Sequence, residues 1–195
     1  MMNLKHHLKR CKGEKMFDKE YSFKGTHAQK VINLTAKFNG TTQIFKTNID
    51  VFITAAIVGY LYQTKAESNN EKSKDGKTQA TKIFLEAFNS HQTDLYFAYR
   101  LVILSDKKHE PNFEQRVNKA FKYFYQDGNE DDFKLFESYV LGGVDILHEK
   151  LIEGASTTDD YVMKLYNFIE DIHSRYYQDS DDSNLSEELL KIARS

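Results

Sequence analysis

A chain of 195 residues with 40% hydrophobic and 29% charged side chains holds enough apolar surface to offset chain entropy, which excludes wholesale disorder and implies a sizeable core. A net charge of −2 excludes a global electrostatic attraction for nucleic acid. One cysteine, Cys11, excludes an intrachain disulfide and a thiolate zinc cluster, and fits a reducing, cytoplasmic setting.

Residues 1–20 form a basic leader, with Lys5, His6, His7, Lys9, Arg10, Lys12 and Lys15, that is expected to be flexible. It lacks the apolar run of a secretory signal, so the sequons at Asn33 and Asn39 are incidental. A single helical domain is expected over 21–178. One proline and nine glycines give too little punctuation for the turns of an all-β fold. The expected class is therefore all-α, a globular bundle of six to eight helices.

The first helix opens at Thr26, where Thr-His-Ala-Gln offers a capping box with Gln29 at N3. Ala28, Val31, Leu34 and Phe38 then recur at helical spacing, and Gly40 supplies a stop. The second opens at Thr47 or Asn48 and places Ile49, Ile53, Ile57, Tyr60 and Leu61 on one stripe, with Phe52, Ala55, Ala56 and Val58 on its flanks. Apolar nearly all round, this helix over about 48–63 belongs at the centre. It is shorter than the ~20 residues that span a bilayer, so no membrane is expected.

Residues 66–78 read as a polar loop. A third helix carries Ala80, Ile83, Phe84, Ala87 and Phe88, and a fourth, from Thr93 or Asp94, turns Phe97, Leu101 and Leu104 inward. A fifth follows Pro111 with Phe113, Val117, Ala120, Phe121 and Phe124, and stops near Gly128. The sixth, from about Glu130, has one long face of Phe133, Phe136, Val140, Val144, Leu147 and Leu151, broken by Gly142 and Gly143, which either admit close helix contact, the favoured reading, or bend the axis. The seventh opens at Thr158 or Asp159 and stacks Val162, Leu165, Ile169, Ile172 and Tyr176. An acidic tail, 179–195, ends in a weak helix over Ser186 to Ala193.

Several motifs fail on inspection. Asp75-Gly76-Lys77-Thr78 ends like a phosphate-binding loop, but Glu71 stands where that loop needs glycine. Asp127, Asn129 and Asp131 begin like a calcium loop, but Asp132 and Ser138 occupy its sixth and twelfth positions; the acidic stretch from Asp179 fails likewise. Asp145-x-x-His148 and Glu170-x-x-His173 are each half of a bundle di-metal signature. Helical phase turns Asp145 away from its apolar stripe and leaves His173 half-buried within its own, so no metal is expected. No cofactor is expected either.

Two charged residues share core faces, Asp50 beside Ile53 and Ile57, and Arg100 beside Leu101 and Leu104. Asp50 suits an N3 carboxylate answering a Thr47 cap, and Arg100 a buried ion pair with Asp50 as a candidate partner. The alternative is a pocket for an anionic ligand lined by Arg100, Asp50, Tyr96 and Tyr99. Lys107, Lys108, Arg116, Lys119 and Lys122, with Tyr123 and Tyr125, make a candidate nucleic-acid surface. The leading functional class is a non-enzymatic protein-interaction component of a bacterial assembly, with a protein partner or a second copy. The second is a nucleic-acid-associated accessory of a DNA-modification or phage-defence system, and the third an enzyme or ligand-binding protein built around Arg100.

Overall fold

Phe23 is fully buried on a strand that leads straight into a helix, and that junction organises the first part of the chain. A computed structural model describes residues 17–69, 80–122 and 129–176. The elements run β1 (Tyr21–Lys24), α1 (Gly25–Thr35), α2 (Asn48–Leu61), β2 (Ala80–Ile83), α3 (Leu85–Ser90), α4 (Gln92–Ser105), α5 (Phe113–Val117), a π-helical turn (Asn118–Lys122), α6 (Glu130–Leu151) and α7 (Thr158–Tyr176). The protein is all-α, with seven α-helices and one two-stranded ribbon among the described residues. The chain divides after Glu149 into two compact units.

The ribbon corrects one expectation. Ala80 and Ile83 lie on β2, antiparallel to β1 with Tyr21 opposite Ile83 and Lys24 opposite Ala80, and the third helix begins only at Leu85. Alternation over four residues placed Phe23 and Ile83 inward. Asn48 holds the ribbon to α2, its Nδ2 donating to Thr81 Oγ1 and to the Lys82 carbonyl, each at 2.9 Å.

The α1 cap also differs from expectation. The helix starts at Gly25, whose φ of +57° turns the strand into the helix at no Cβ cost. Thr26 donates its N–H to Asn69 Oδ1 at 3.2 Å and accepts from Asn69 Nδ2 at 2.9 Å. A residue far along the chain thus does the capping that Gln29 was expected to do. The helix ends at Thr35, short of Phe38 and Gly40.

At α2 the expected cap is present: Thr47 accepts from Asp50 N–H while Asp50 Oδ2 accepts from Thr47 N–H and Oγ1, both at 2.8 Å. Ile49 is buried as expected, together with Val51, Phe52, Ala55, Ala56, Val58 and Gly59, whereas Ile53 and Ile57 are only half-buried. The reason is the crossing with α6. A methyl group on Gly59 would overlap the Tyr139 carbonyl oxygen, and one on Gly143 would overlap that of Ala55. Gly142 is equally tight against the Thr64 carbonyl. The two helices touch backbone to backbone, so the small side of α2 must face inward. Beside the crossing, Phe52 meets Phe17, Tyr21, Phe23, Phe88 and Phe136 with ring centroids 5.0 to 6.2 Å apart, an edge-and-face cluster of favourable quadrupole geometry.

Candidate functional site

Asp50 and Arg100, expected to meet, do not pair. Asp50 is engaged in the α2 cap, with His91 Nε2 at 4.0 Å from its Oδ1. Arg100 stands nine residues beyond His91 on α4, about 13 Å further along at 1.5 Å per residue. The phase of α4 explains this: its buried face is Leu95, Ala98, Tyr99, Val102 and Ile103, and Phe97, expected inward, is 62% exposed. Tyr99 lies wholly in the core, where burial and then the nearby Asp132 push its hydroxyl's ionisation above the usual tyrosine range. Of the expected pocket, Asp50 and Tyr99 therefore do not close around Arg100, and only Tyr96 meets it.

Arg100 instead forms a stack with two rings. Its Cζ sits 5.8 Å from the Tyr96 ring centroid and 4.9 Å from that of Phe121, which is 50% exposed. These are cation–π distances. Its Nε is buried without a hydrogen-bond acceptor, and no carboxylate pairs with it among the described residues.

The basic set disperses. Arg116 is 5% exposed and faces inward, donating from Nε to the Leu104 carbonyl at 2.8 Å and from Nη1 to those of Glu110 and Pro111 at 2.8 and 2.9 Å. It thereby satisfies a carbonyl left open at the end of α4. Lys119 reaches Asp132 at 3.1 Å and Glu110 at 3.6 Å. Lys107, Lys108 and Lys122 are exposed. Tyr123, Tyr125, the Asp75 to Thr78 loop, the leader before residue 17 and the acidic tail lie outside the described residues.

Two polar knots were not foreseen. Buried Asp106 accepts from Tyr139 Oη at 2.8 Å, Lys65 Nζ at 3.3 Å and the N–H groups of Lys108 and His109. Burial alone would raise its pKa, but the Tyr139 and His109 hydrogen bonds and Lys65 together hold it below the usual carboxylate value. The second knot is a contact between His109 Nε2 and Asp132 Oδ1 at 2.6 Å, beside the π-helical turn. An Asp two residues before a turn was the available signal for Asp106, since such carboxylates accept from the backbone ahead of them.

The metal half-sites are used otherwise. Asp145 accepts from Lys30 at 2.9 Å and lies 3.3 Å from buried His27, off the line of a hydrogen bond. Burial again opposes its ionisation, and His27 and Lys30 outweigh that to lower its pKa. His148 meets Asn33 at 3.1 Å. His173 on α7 is exposed, against the expectation that it would be half-buried. Among the described residues no three His, Cys, Asp or Glu side chains are grouped to hold a metal ion.

The most unusual surface is α7. Thr157 and Asp160 cap it reciprocally, the Asp160 carboxylate accepting from Thr157 N–H at 2.8 Å. Most of the stripe expected to be core is in water: Val162, Leu165, Ile169 and Tyr176 are exposed, Ile169 at 55%, and Ile172 is half-buried, with exposed Met163 and Tyr166 beside them. Only Phe168 of this helix is buried.

A family model described as DNA sulphur modification system-associated protein 4 matches residues 25–188. The chain belongs to that family. No curated protein and no solved structure matches it. In this DNA sulphur modification system-associated protein the matched region runs from the first residue of α1 past the end of α7. It takes in both the Arg100 stack and the exposed α7 stripe. No helix among the described residues is long and apolar enough to cross a membrane.

Proposed function

We propose that the protein is a non-catalytic docking component of a DNA sulphur modification system, and that α7 is the face it offers to another protein of that system. The observation that carries this reading is the exposed stripe on α7. Val162, Leu165, Ile169, Ile172 and Tyr176 follow one another at alternating steps of three and four, the seam that packs one helix against another. Scattered apolar residues on a surface are ordinary, whereas a contiguous patch marks an interaction site. The seam also lacks charge at its centre, so covering it strands no ion. An amphipathic helix laid into a partner's apolar groove is the recognition mode that this geometry suits.

The nucleic-acid reading has less support. Duplex affinity grows with the number of phosphates neutralised, and Arg116 and Lys119 already serve carbonyls and carboxylates of their own chain. The test is a tagged chain expressed with the whole modification system. Wild type should co-purify with components of that system identified by mass spectrometry, and a Val162→Asp, Ile169→Asp variant of unchanged melting temperature should lose them. Undiminished capture of the same components by the folded variant would contradict the α7 assignment. Salt-sensitive binding to a labelled duplex would move the reading to nucleic acid.

A further inference from the structure

We infer that Arg100, held over the rings of Tyr96 and Phe121 beside exposed Phe97, is an anchor for a carboxylate on a partner protein whose flanking side chains are apolar. This surface belongs to the first unit, residues up to Glu149, and the inference goes beyond the α7 reading without depending on it.

An arginine that is half-buried with its Nε cut off from any acceptor is in an expensive position, because a desolvated donor recovers its lost hydration only by meeting an acceptor, and a carboxylate is the strongest for a guanidinium. Lys65, Lys119 and Arg116 each have one: exposed Lys65 has Asp106, half-buried Lys119 has Asp132, and buried Arg116 has three carbonyls. Among the described residues Arg100 has rings and no acid. The two ring contacts restrain the side chain and so remove part of the rotamer freedom that binding would otherwise have to quench. What remains is a rigid fork that matches two oxygens of a carboxylate.

The surroundings choose between anions. Phe97, one turn before Arg100 on the same helix face, and Phe121 are each at least half exposed. A single cation ringed by apolar surface suits one carboxylate between apolar neighbours, the arginine-and-aromatic composition of protein–protein hot spots. A nucleic-acid strand would need a run of cations along its backbone, and two of the basic set, Arg116 and Lys119, are engaged within the chain.

The probe is the peptide acetyl-Phe-Asp-Phe-amide, titrated into the 15N-labelled full chain while the Arg100 Nε–H resonance and the Phe97 and Phe121 ring signals are followed. All three should shift saturably. The same peptide with Asn at its centre should bind on the order of tenfold more weakly, the worth of one charge-assisted hydrogen bond. Arg100→Gln should make the two peptides equivalent, and Phe97→Ala, a change at an exposed position, should weaken both. Equal binding of the two peptides to wild type would overturn the proposal, as would a saturable shift with an oligothymidine and none with the Asp peptide. A silent Arg100 signal with every probe would leave the stack purely structural and refute it. Repeating the titration in the Val162→Asp, Ile169→Asp background separates the two readings, since the shifts should be unchanged there.

Discussion

α6 and α7 carry apolar stripes of similar regularity, and they meet opposite fates. On α6, Phe136, Val140, Val144 and Leu147 are wholly buried, and Gly143 lies against the backbone of α2. On α7, Val162, Leu165, Ile169 and Tyr176 stand in water. The difference lies in what accompanies each stripe. The α6 stripe is interrupted by two glycines, Gly143 letting α2 and Gly142 the chain just after α2 approach to backbone contact. The helix also has a tyrosine and an aspartate that find partners in buried Asp106 and half-buried Lys30. The α7 stripe has bulky side chains throughout and acids on its polar side. Periodicity specifies that a helix has an apolar face; the accompanying small and polar residues specify the neighbour that covers it.

The comparison breaks most easily at the crossing. Gly143→Ala raises helix propensity yet drives a methyl group into the Ala55 carbonyl, so a loss of about 3–5 kcal/mol, or failure to fold, is expected in urea unfolding. A variant as stable as wild type would show that α2 and α6 do not touch there. Next in size is Arg116→Ala. It strips three part-buried carbonyls of their donor, and a loss of about 2–4 kcal/mol is expected from the same measurement.

A smaller effect concerns the knots beside α6. Asp106 and Asp145 both ionise more readily in the folded chain than in the unfolded one. Their stabilisation is therefore complete above the ordinary Asp value of about 4 and is lost as pH falls below it. The urea midpoint should fall between pH 5 and pH 3, and Asp106→Asn should flatten that fall while costing about 1–2 kcal/mol at pH 7. A midpoint as steep in the variant as in wild type would take Asp106 out of the acid response.

These features mark how far the sequence was readable. The Thr47–Asp50 box and the Gly142–Gly143 contact were visible because each rests on residues a few positions apart or on a side chain that only one geometry needs. The phase of α4 was hidden: almost every position from Leu95 to Leu104 is apolar or aromatic, so two stripes compete, and the tertiary partner selected Leu95, Ala98, Tyr99 and Val102 over Phe97, Leu101 and Leu104. The α1 cap was hidden because its donor and acceptor come from Asn69. Arg116 read as surface because a single helical turn of basic residues looks the same whether it faces water or a row of carbonyls. The ribbon is four residues long on each side, too short for alternation to outweigh the helical spacing of Ala80, Ile83 and Ala87. For the site, the sequence supplied Arg100 as an unusual cation with Tyr96 near it, and the structure added Phe121 and removed Asp50 and Tyr99.

The central claim is that the α7 stripe waits in water for a protein partner. A cysteine placed at Ile169 in a Cys11→Ser background reports on it directly through its rate of reaction with a thiol reagent. In the isolated chain the rate should match that of a cysteine in an unstructured peptide, and in the complex recovered with the modification system it should fall at least about tenfold. A thiol already protected in the isolated chain, or one equally reactive in both states, would contradict the account.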